Sequence, residues 1–278
     1  MKKKLFVTLT GTILTASLLI GCSASGSAPK KISAAHKSKT ADSQQTFTVG
    51  FDAEYPPYGY LDDNGEYTGF DLELAEAVCK LEGWELVKKP INWDSKDMEL
   101  DSGSIDCIWN GFTMNGREDD YTFSIPYVDN SQVIVVSEVS GITSLEDLSG
   151  KVVGVQAASA ALSLLQSEED GGQKALADTF RSLNEFADYN TAFTELQAGA
   201  LDALAIDIGV ANYQMKSRGE GFKILDESLN TEQYAIGFKK GNQELCDIVN
   251  ADLEQLTEDG TVAALAEKYD ITDMVTLK

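Results

Sequence analysis

A planar guanidinium beside a flexible turn can hold a carboxylate, and Arg117 occupies such a position. It closes the run Ile108-Trp109-Asn110-Gly111-Phe112-Thr113-Met114-Asn115-Gly116-Arg117, after a short apolar stretch that reads as a strand. Its fork can make two parallel hydrogen bonds, and backbone N–H groups of a Gly/Asn/Thr-rich turn can add more. The chain has only three arginines, at 117, 181 and 218, against 45 acidic residues. The competing reading is therefore a surface arginine solvating one of those acids. Asp207 is the second candidate. It follows a strand-like stretch, Leu201 to Ile206, that has acidic residues at both ends, Asp202 and Asp207 itself, and it precedes Gly209-Val210. Its own competing reading is the N-cap of the next helix.

The elements that would position these residues alternate strand with helix. Phe47 to Phe51, Glu85 to Val87, Cys107 to Trp109 and Gln132 to Val136 read as strands. Leu72, Leu74, Ala75, Val78, Cys79 and Leu81 mark one face of a helix that Gly83 ends. A second series follows: a helical turn at Leu145 to Leu148, a buried strand at Lys151 to Val155, and a helix from Ala157 to Gln166. Another helix spans Thr191 to Ala198, the strand Leu201 to Ile206 comes next, and Gly209 to Ser217 is helical again. Helical spacing returns from Leu245 to Leu256, Gly260 interrupts it, and Val262 to Tyr269 completes the chain. Such alternation predicts an α/β fold with largely parallel sheets in two lobes. Open α/β sheets bind ligands beyond the carboxyl ends of their strands. Arg117 and Asp207 both follow strands, one in each series. If the lobes face each other, a cation and an anion meet across a cleft. A free amino acid offers the complementary pair of charges.

Composition narrows the function. Seven of the 22 basic residues but only Asp42 among the acids lie before residue 46, which leaves 15 basic and 44 acidic groups beyond it. A body this acidic repels nucleic acid and anionic lipid. The single histidine, His36, also lies in the N-terminal tract. The remainder therefore lacks the usual residue for metal binding and for triad or general-base chemistry. No metal and no cofactor is expected.

The N-terminus reads as a processing segment. Lys2, Lys3 and Lys4 precede an apolar stretch from Leu5 to Ile20, and Leu19-Ile20-Gly21-Cys22 matches a lipobox. Residues 1–21 then form a lipoprotein signal peptide, with Cys22 as the acylated residue. The stretch is short of the roughly 20 apolar residues that a membrane span needs. Residues 22–45 are rich in Ser, Ala, Lys and Thr and read as a flexible tether. The other cysteines, Cys79, Cys107 and Cys246, sit in apolar periodic context, so small buried hydrophobes are expected.

Taken in order, these motifs resemble the family 3 solute-binding proteins that serve ABC importers of polar amino acids. The most specific is Gly69-Phe70-Asp71-Leu72-Glu73-Leu74-Ala75. Val49-Gly50-Phe51-Asp52-Ala53-Glu54-Tyr55-Pro56-Pro57-Tyr58 is similar to the family's opening strand and aromatic loop. Val152-Val153-Gly154-Val155-Gln156 resembles the start of its second lobe. Lys240-Gly241-Asn242 and Glu258-Asp259-Gly260-Thr261 match its C-terminal helices.

The resemblance implies a two-lobe Venus-flytrap of the type II periplasmic-binding-protein kind. Residues 46–133 and 233–278 would form lobe 1 and residues 134–232 lobe 2, with hinge crossings near Ser131–Val135 and Glu232–Ile236. It also implies the site. Tyr55 and Trp93 would pack on the ligand. Gly111 would offer a carbonyl to its ammonium and Thr113 a hydroxyl and N–H to its carboxylate. Arg117 would clamp that carboxylate, and Ser159 with the next N–H would add donors. Asp207 would take the ammonium, and Asp52 would contact the side chain, with Glu54 nearby. Two departures stand out. Thr113 to Arg117 is one residue shorter than usual, so Asn115-Gly116 must make a tighter turn. Ala158 replaces the usual glycine before Ser159, which restricts the loop. Cys79 lacks the nearby partner cysteine of some members and is expected free.

The function so implied is an extracytoplasmic, lipid-anchored, monomeric receptor. It would pass a free amino acid to an ABC permease and its ATPase, without nucleic acid. Asp52, Glu54 and the acidic field lean toward a cationic amino acid. The alternative is a dehydratase-type enzyme on the same scaffold acting on a cyclic carboxylic acid, and a third reading is a sensor coupled to a signalling partner. Tight binding without turnover separates receptor from enzyme.

Overall fold

The computed structural model describes residues 45–278. The lipobox, Cys22, His36 and all but the last residue of the tether lie outside the described residues. The chain opens with β1 (Thr46–Phe51) and a small antiparallel sheet of β2 (Glu54–Tyr55), β3 (Gly59–Leu61) and β4 (Tyr67–Thr68). Helix α1 (Phe70–Glu82) follows. It buries Leu72, Leu74, Ala75, Val78 and Cys79 of the expected apolar stripe but leaves Leu81, the stripe's last member, exposed, and it ends at Gly83 with φ 68°. Next come β5 (Glu85–Pro90), a 3-10 turn at Trp93–Ser95, α2 (Lys96–Asp101), β6 (Cys107–Ile108) and β7 (Tyr121–Phe123).

The chain then leaves this first region along the ten-residue β8 (Val128–Ser137). The second region contains β9 (Val152–Gln156), α3 (Ala160–Gln166), α4 (Lys174–Ala177) and β10 (Ser182–Phe186). It continues with α5 (Tyr189–Ala198), β11 (Ala203–Asp207), α6 (Ile208–Arg218) and β12 (Phe222–Ile224). Strand β13 (Asn230–Tyr234) leads back to β14 (Gly237–Lys239), and α7 (Gln243–Glu258) and α8 (Thr261–Lys268) complete the chain.

Two large sheets result. The first has the order β5-β1-β6-β14-β7 and the second β10-β9-β11-β8-β12. Strand β13 pairs antiparallel with the first half of β8, with Val128 opposite Tyr234 and Asn130 opposite Glu232. The second half of β8 pairs with β11, where Gln132 faces Asp207 and Val136 faces Ala203. One long strand thus carries the chain out and a shorter one carries it back, beside each other. These are the two crossings expected from the sequence.

The expectation of largely parallel sheets needs correction. The pairings of β1 with β5 and β6 and of β9 with β10 and β11 are parallel. Those of β14 with β6 and β7, and of β8 with β11, β12 and β13, are antiparallel. The cause is the crossing itself. A chain that returns beside its outgoing strand must run against it.

The second sheet is covered on both faces, and its strands alternate accordingly. Val133, Val135, Leu204 and Ile206 join one buried cluster, while Ile134, Val136, Ala203 and Ala205 join another. This explains why β9 and β11 are buried along their whole length and read as unbroken apolar runs. The first cluster also contains Phe47, Val49 and Leu74 of the first region, so one core passes between the sheets. Tyrosines carry it across. Tyr55 lies 5.9 Å from Tyr58 and 6.0 Å from Tyr189 between ring centroids, and Tyr58 meets Tyr234 edge-on at 5.2 Å. Cys79, Cys107 and Cys246 are buried and unpaired, as expected.

Candidate functional site

Tyr55, Trp93, Gly111, Thr113, Arg117, Ser159 and Asp207 line one small pocket, with Gln156 and Ala160 completing its wall. Asp52 stands behind that wall. Its Oδ2 accepts from Gln156 Nε2 at 2.6 Å and its Oδ1 from the Glu54 N–H at 2.9 Å. Glu54 lies further out and accepts from Asn190 Nδ2. The enclosed volume is about 10 Å³, room for about one water. A larger molecule enters only if the walls part. A groove of about 560 Å³ lies elsewhere, lined by Tyr60, Tyr213 and Tyr269 among others. Its lysines are already engaged, Lys216 with Asp270 and Lys268 with Glu73. Arg117 and Asp207 in the small pocket carry opposite charges, and neither is in an ion pair among the described residues.

Arg117 is half-buried and, among the described residues, forms no ion pair. The reading of a surface arginine solvating an acid is therefore not what is found. Its Nη1 donates to the Thr113 carbonyl at 3.1 Å, and the guanidinium lies 4.9 Å from the Phe112 ring centre. The shortened turn is made as its residues suggest. The Arg117 N–H donates to the Met114 carbonyl at 3.0 Å across Asn115-Gly116, and Gly116 has φ 77°. Asn115 Oδ1 accepts from the Gln233 N–H at 2.7 Å, which ties the turn to the return strand.

Asp207 ends β11 at the N-cap position of α6, yet its side chain makes no capping bond. Its Oδ1 instead accepts from Asn130 Nδ2 at 2.8 Å, Gln132 Nε2 at 2.6 Å and the Tyr234 hydroxyl at 2.6 Å. Burial pushes its carboxyl above the usual range, and these hydrogen bonds partly offset that. Thr113 also departs from expectation. Its hydroxyl is already committed, donating to Glu232 Oε1 at 2.9 Å.

Gly111 sits at φ 58°, and an added Cβ would lie 2.9 Å from the Tyr234 ring and 3.0 Å from that of Tyr55. Only glycine permits this close approach. The Gly111 N–H donates to Asp71 Oδ2 at 2.6 Å, and the Tyr127 hydroxyl reaches the same oxygen at 2.8 Å. The aspartate of the Gly69 to Ala75 motif thus fixes the loop that carries the pocket's glycine. Burial pushes its carboxyl up to about 7.

Ser159 caps α3 and accepts from the Leu162 N–H at 3.1 Å. Ala158 before it adopts φ 53°, the conformation a glycine would take at less cost. For an alanine this costs about 1–2 kcal/mol. It also explains why α3 starts at Ala160 and not at Ala157. Trp93 is half-buried at the rim, edge-on to Phe112 at 5.8 Å.

Several site residues were not nominated from the sequence. Gln156, at the carboxyl end of β9, had the same positional signal as Asp207. Lys96 had none: it opens a short helix among acids, and only the fold buries it. Its Nζ donates to the Ala158 carbonyl at 3.2 Å and lies 5.2 Å from the Trp93 ring centre. Burial pushes its amine below the usual lysine range. Glu232, Asn130 and Gln132 lie on the crossing strands, where a sequence pattern shows extended backbone but not which residues meet.

Comparison with known proteins agrees with this geometry. Residues 47–272 match the family model of the bacterial extracellular solute-binding proteins, family 3. The L-cystine-binding protein TcyJ of Escherichia coli (strain K12) is 30% identical over 227 residues, covering 81% of this chain and 82% of that one. The arginine-binding extracellular protein ArtP of Bacillus subtilis (strain 168) is 30% identical over 274 residues, covering 97% and 98%. A crystallised ABC uptake transporter substrate-binding protein from Streptococcus pneumoniae, with bound histidine, superposes with a TM-score of 0.78 at 32% identity, covering 83% and 94%. The signature on α1, the paired strand crossings and the pocket between two sheets are thereby accounted for together: the chain belongs to the bacterial extracellular solute-binding proteins of family 3 and has their two-lobe Venus-flytrap fold.

Proposed function

We propose that this protein captures a free polar amino acid with a cationic side chain and delivers it to an ABC permease and its ATPase. Lipid on Cys22 would hold it, as a monomer, at the extracytoplasmic face of the membrane. The observation that carries this reading is the pairing of two unmatched charges. Arg117 has no carboxylate partner and Asp207 no cationic partner among the described residues, and both line the same pocket. A zwitterionic amino acid supplies both. Its carboxylate would lie against the fork of Arg117, with Ser159 and the Thr113 N–H nearby. Its ammonium would lie at Asp207 and the Gly111 carbonyl. Tyr55 and Trp93 would flank the side chain, and Asp52 with Gln156 would meet its far end.

Closure follows from the same contacts. Arg117, Trp93 and Tyr55 belong to residues 46–133, while Gln156, Ser159 and Asp207 belong to residues 134–232. A ligand that touches both groups favours the form in which they are together. Relatives named for cystine, arginine and histidine fit a site built on the shared α-amino acid core, with specificity set at Asp52 and Gln156. The reading is one of binding without turnover. Its test is thermal unfolding in the presence of each standard amino acid and L-cystine. Arginine, lysine or ornithine is expected to raise Tm, by about 2.7 kcal/mol of stabilisation at a hundredfold excess over Kd, and to be recovered unchanged. If no amino acid raises Tm, the reading is wrong.

A further inference from the structure

Asp207 does not stand alone. Glu232 of β13 is 5% exposed, and its carboxylate shares hydrogen-bond donors with that of Asp207. Asn130 Nδ2 donates to Asp207 Oδ1 and to Glu232 Oε1, each at 2.8 Å. Gln132 Nε2 donates to the same two oxygens at 2.6 and 2.8 Å. The Thr113 hydroxyl adds one bond to Glu232, and the Tyr234 hydroxyl one to Asp207. Asn230 Nδ2 lies 3.5 Å from Glu232 Oε2. Both bridging amides thus spend their N–H groups on the carboxylates. Their carbonyl oxygens, Asn130 Oδ1 and Gln132 Oε1, are left buried with no donor. Turning either amide over would set its oxygen against two carboxylates, so the cluster is short of protons in every arrangement.

Arg117 lines the same pocket as Asp207 but makes no ion pair with either carboxylate. Tyr55, Tyr58, Tyr189 and Tyr234 face the pair from β2, the segment before β3, α5 and β13, and burial holds each hydroxyl protonated. Among the described residues, no lysine or arginine forms an ion pair with either carboxylate. Asn130 and Glu232 also line a second groove, of about 620 Å³, whose other charged residues are Asp129 and Asp273. Two buried carboxylates that share the same amide donors, with no cation paired to either, resist ionising together.

We propose that Asp207 and Glu232 share one proton while the cleft is empty, and that the ligand's ammonium displaces it. This rests on the reading of Asp207 as the ammonium site. One carboxyl O–H bond breaks, its proton passes to solvent, and the zwitterion enters with its own charge unchanged. Binding is then coupled to release of one proton. Glu232 acts through Asp207 as a positioning residue, and the groove that Glu232 lines gives the proton a route to solvent. The upward displacement of both carboxyls by burial, and of Glu232 also by Asp207, agrees with the geometry.

The sign of the pH effect follows. Groups held above their ordinary values, 3.8 for Asp and 4.5 for Glu, stabilise the fold fully below those values and lose that contribution as pH rises. The test has two arms. In the first, the thermal stability of the ligand-free protein is followed from pH 4 to 8, beside Glu232→Gln, which mimics the protonated acid. Stability of the unaltered protein is expected to fall with pH more steeply than that of the variant. Asp52 and Asp71 titrate in both proteins, so the difference isolates Glu232. In the second arm, L-arginine, or whichever standard amino acid or L-cystine raises Tm, is titrated calorimetrically near pH 6 in two buffers of different ionisation enthalpy. Asp52 titrates in both proteins, so the difference carries the test: the unaltered protein is expected to release about one proton more than Glu232→Gln. Its affinity should rise up to tenfold per pH unit more steeply than that of the variant. Should Glu232→Gln not fold, the carbon-13 shifts of the glutamate δ-carbons in the unaltered protein report the same proton. Parallel stability curves, equal proton release by the two proteins, or a fully ionised Glu232 and Asp207 in the empty protein would each overturn the proposal. If no amino acid binds, the receptor reading fails, while the first arm still decides whether the pair holds a proton.

Discussion

Lys96 on the first sheet's side of the molecule donates to the carbonyl of Ala158 on the second, at 3.2 Å. The ammonium is buried, and that carbonyl belongs to the strained residue before Ser159. One bond therefore ties the rim helix to the loop that presents Ser159. A hydrogen bond from a charged group contributes about 1.5–3 kcal/mol. Lys96→Met keeps the stem's packing and removes the bond. We expect affinity for the ligand to fall by about tenfold or more, from weaker closure, with the circular dichroism spectrum unchanged. Calorimetric titration checks this. Equal affinity would mean that Lys96 plays no part in holding the two sides together.

Arg117 allows a sharper distinction. Lysine at this position keeps the charge but loses the planar fork and its stacking on Phe112. Arg117→Lys should weaken binding by about a hundredfold, and Arg117→Ala should abolish it. Unfolding free energy should fall by no more than about 1 kcal/mol in either, the usual worth of an exposed cation–aromatic contact. If Arg117→Lys binds as tightly as the unaltered protein, bidentate recognition is not how the carboxylate is held.

These two residues mark the range of what the chain reveals before it folds. Arg117 was legible as a candidate because a guanidinium next to Gly116 at a strand end can hold a carboxylate, and Asp207 because it ends a buried strand, though each had an ordinary structural reading beside it. The strands and helices around them were legible from period alone. Lys96 was not, because its burial depends on contact between segments 62 residues apart. The Asp207–Glu232 pair was not, because strand register decides it: β13 sets Glu232 opposite Asn130, and β11 sets Asp207 opposite Gln132. The mixed direction of the sheets escaped for the same reason. Alternation of strand and helix shows that a sheet exists, but not where a crossing strand inserts.

Asp71 offers a prediction about stability. Burial raises its carboxyl from 3.8 to about 7, against the hydrogen bonds from Tyr127 and Gly111. A raised value means the stabilising contribution is full below pH 3.8 and is lost as pH rises toward 7. Asp71→Asn keeps an acceptor for Gly111 and Tyr127 but cannot ionise. The two proteins should be similar in stability near pH 4. By pH 8 the variant should be the more stable, by up to about 4 kcal/mol, since one pKa unit is worth 1.36 kcal/mol. Urea unfolding across this range measures it. Parallel curves would mean that burial does not displace the Asp71 carboxyl from its ordinary value.

Asp52 is expected to set which amino acid is preferred. Its carboxyl is raised to about 6, chiefly by burial, so it is mostly charged at pH 7.5 and mostly neutral at pH 5. It bonds Gln156 in the pocket wall, and a cationic side chain reaching that wall would meet its charge. A neutral side chain such as that of glutamine would not depend on it. The affinity for L-arginine should therefore fall relative to that for L-glutamine as pH drops through 6. Any proton released at the ammonium site affects both ligands alike, so the ratio isolates Asp52. A charge-assisted hydrogen bond is about twice as strong as a neutral one, and tenfold in affinity corresponds to 1.4 kcal/mol. Asp52→Asn should accordingly lower L-arginine affinity about tenfold at pH 7.5, leave L-glutamine within twofold, and flatten the ratio against pH. Calorimetric titrations of both ligands at pH 5, 6 and 7.5 provide the comparison. A ratio that is independent of pH in the unaltered protein would remove Asp52 from the specificity of the site and, with it, the lean toward a cationic ligand.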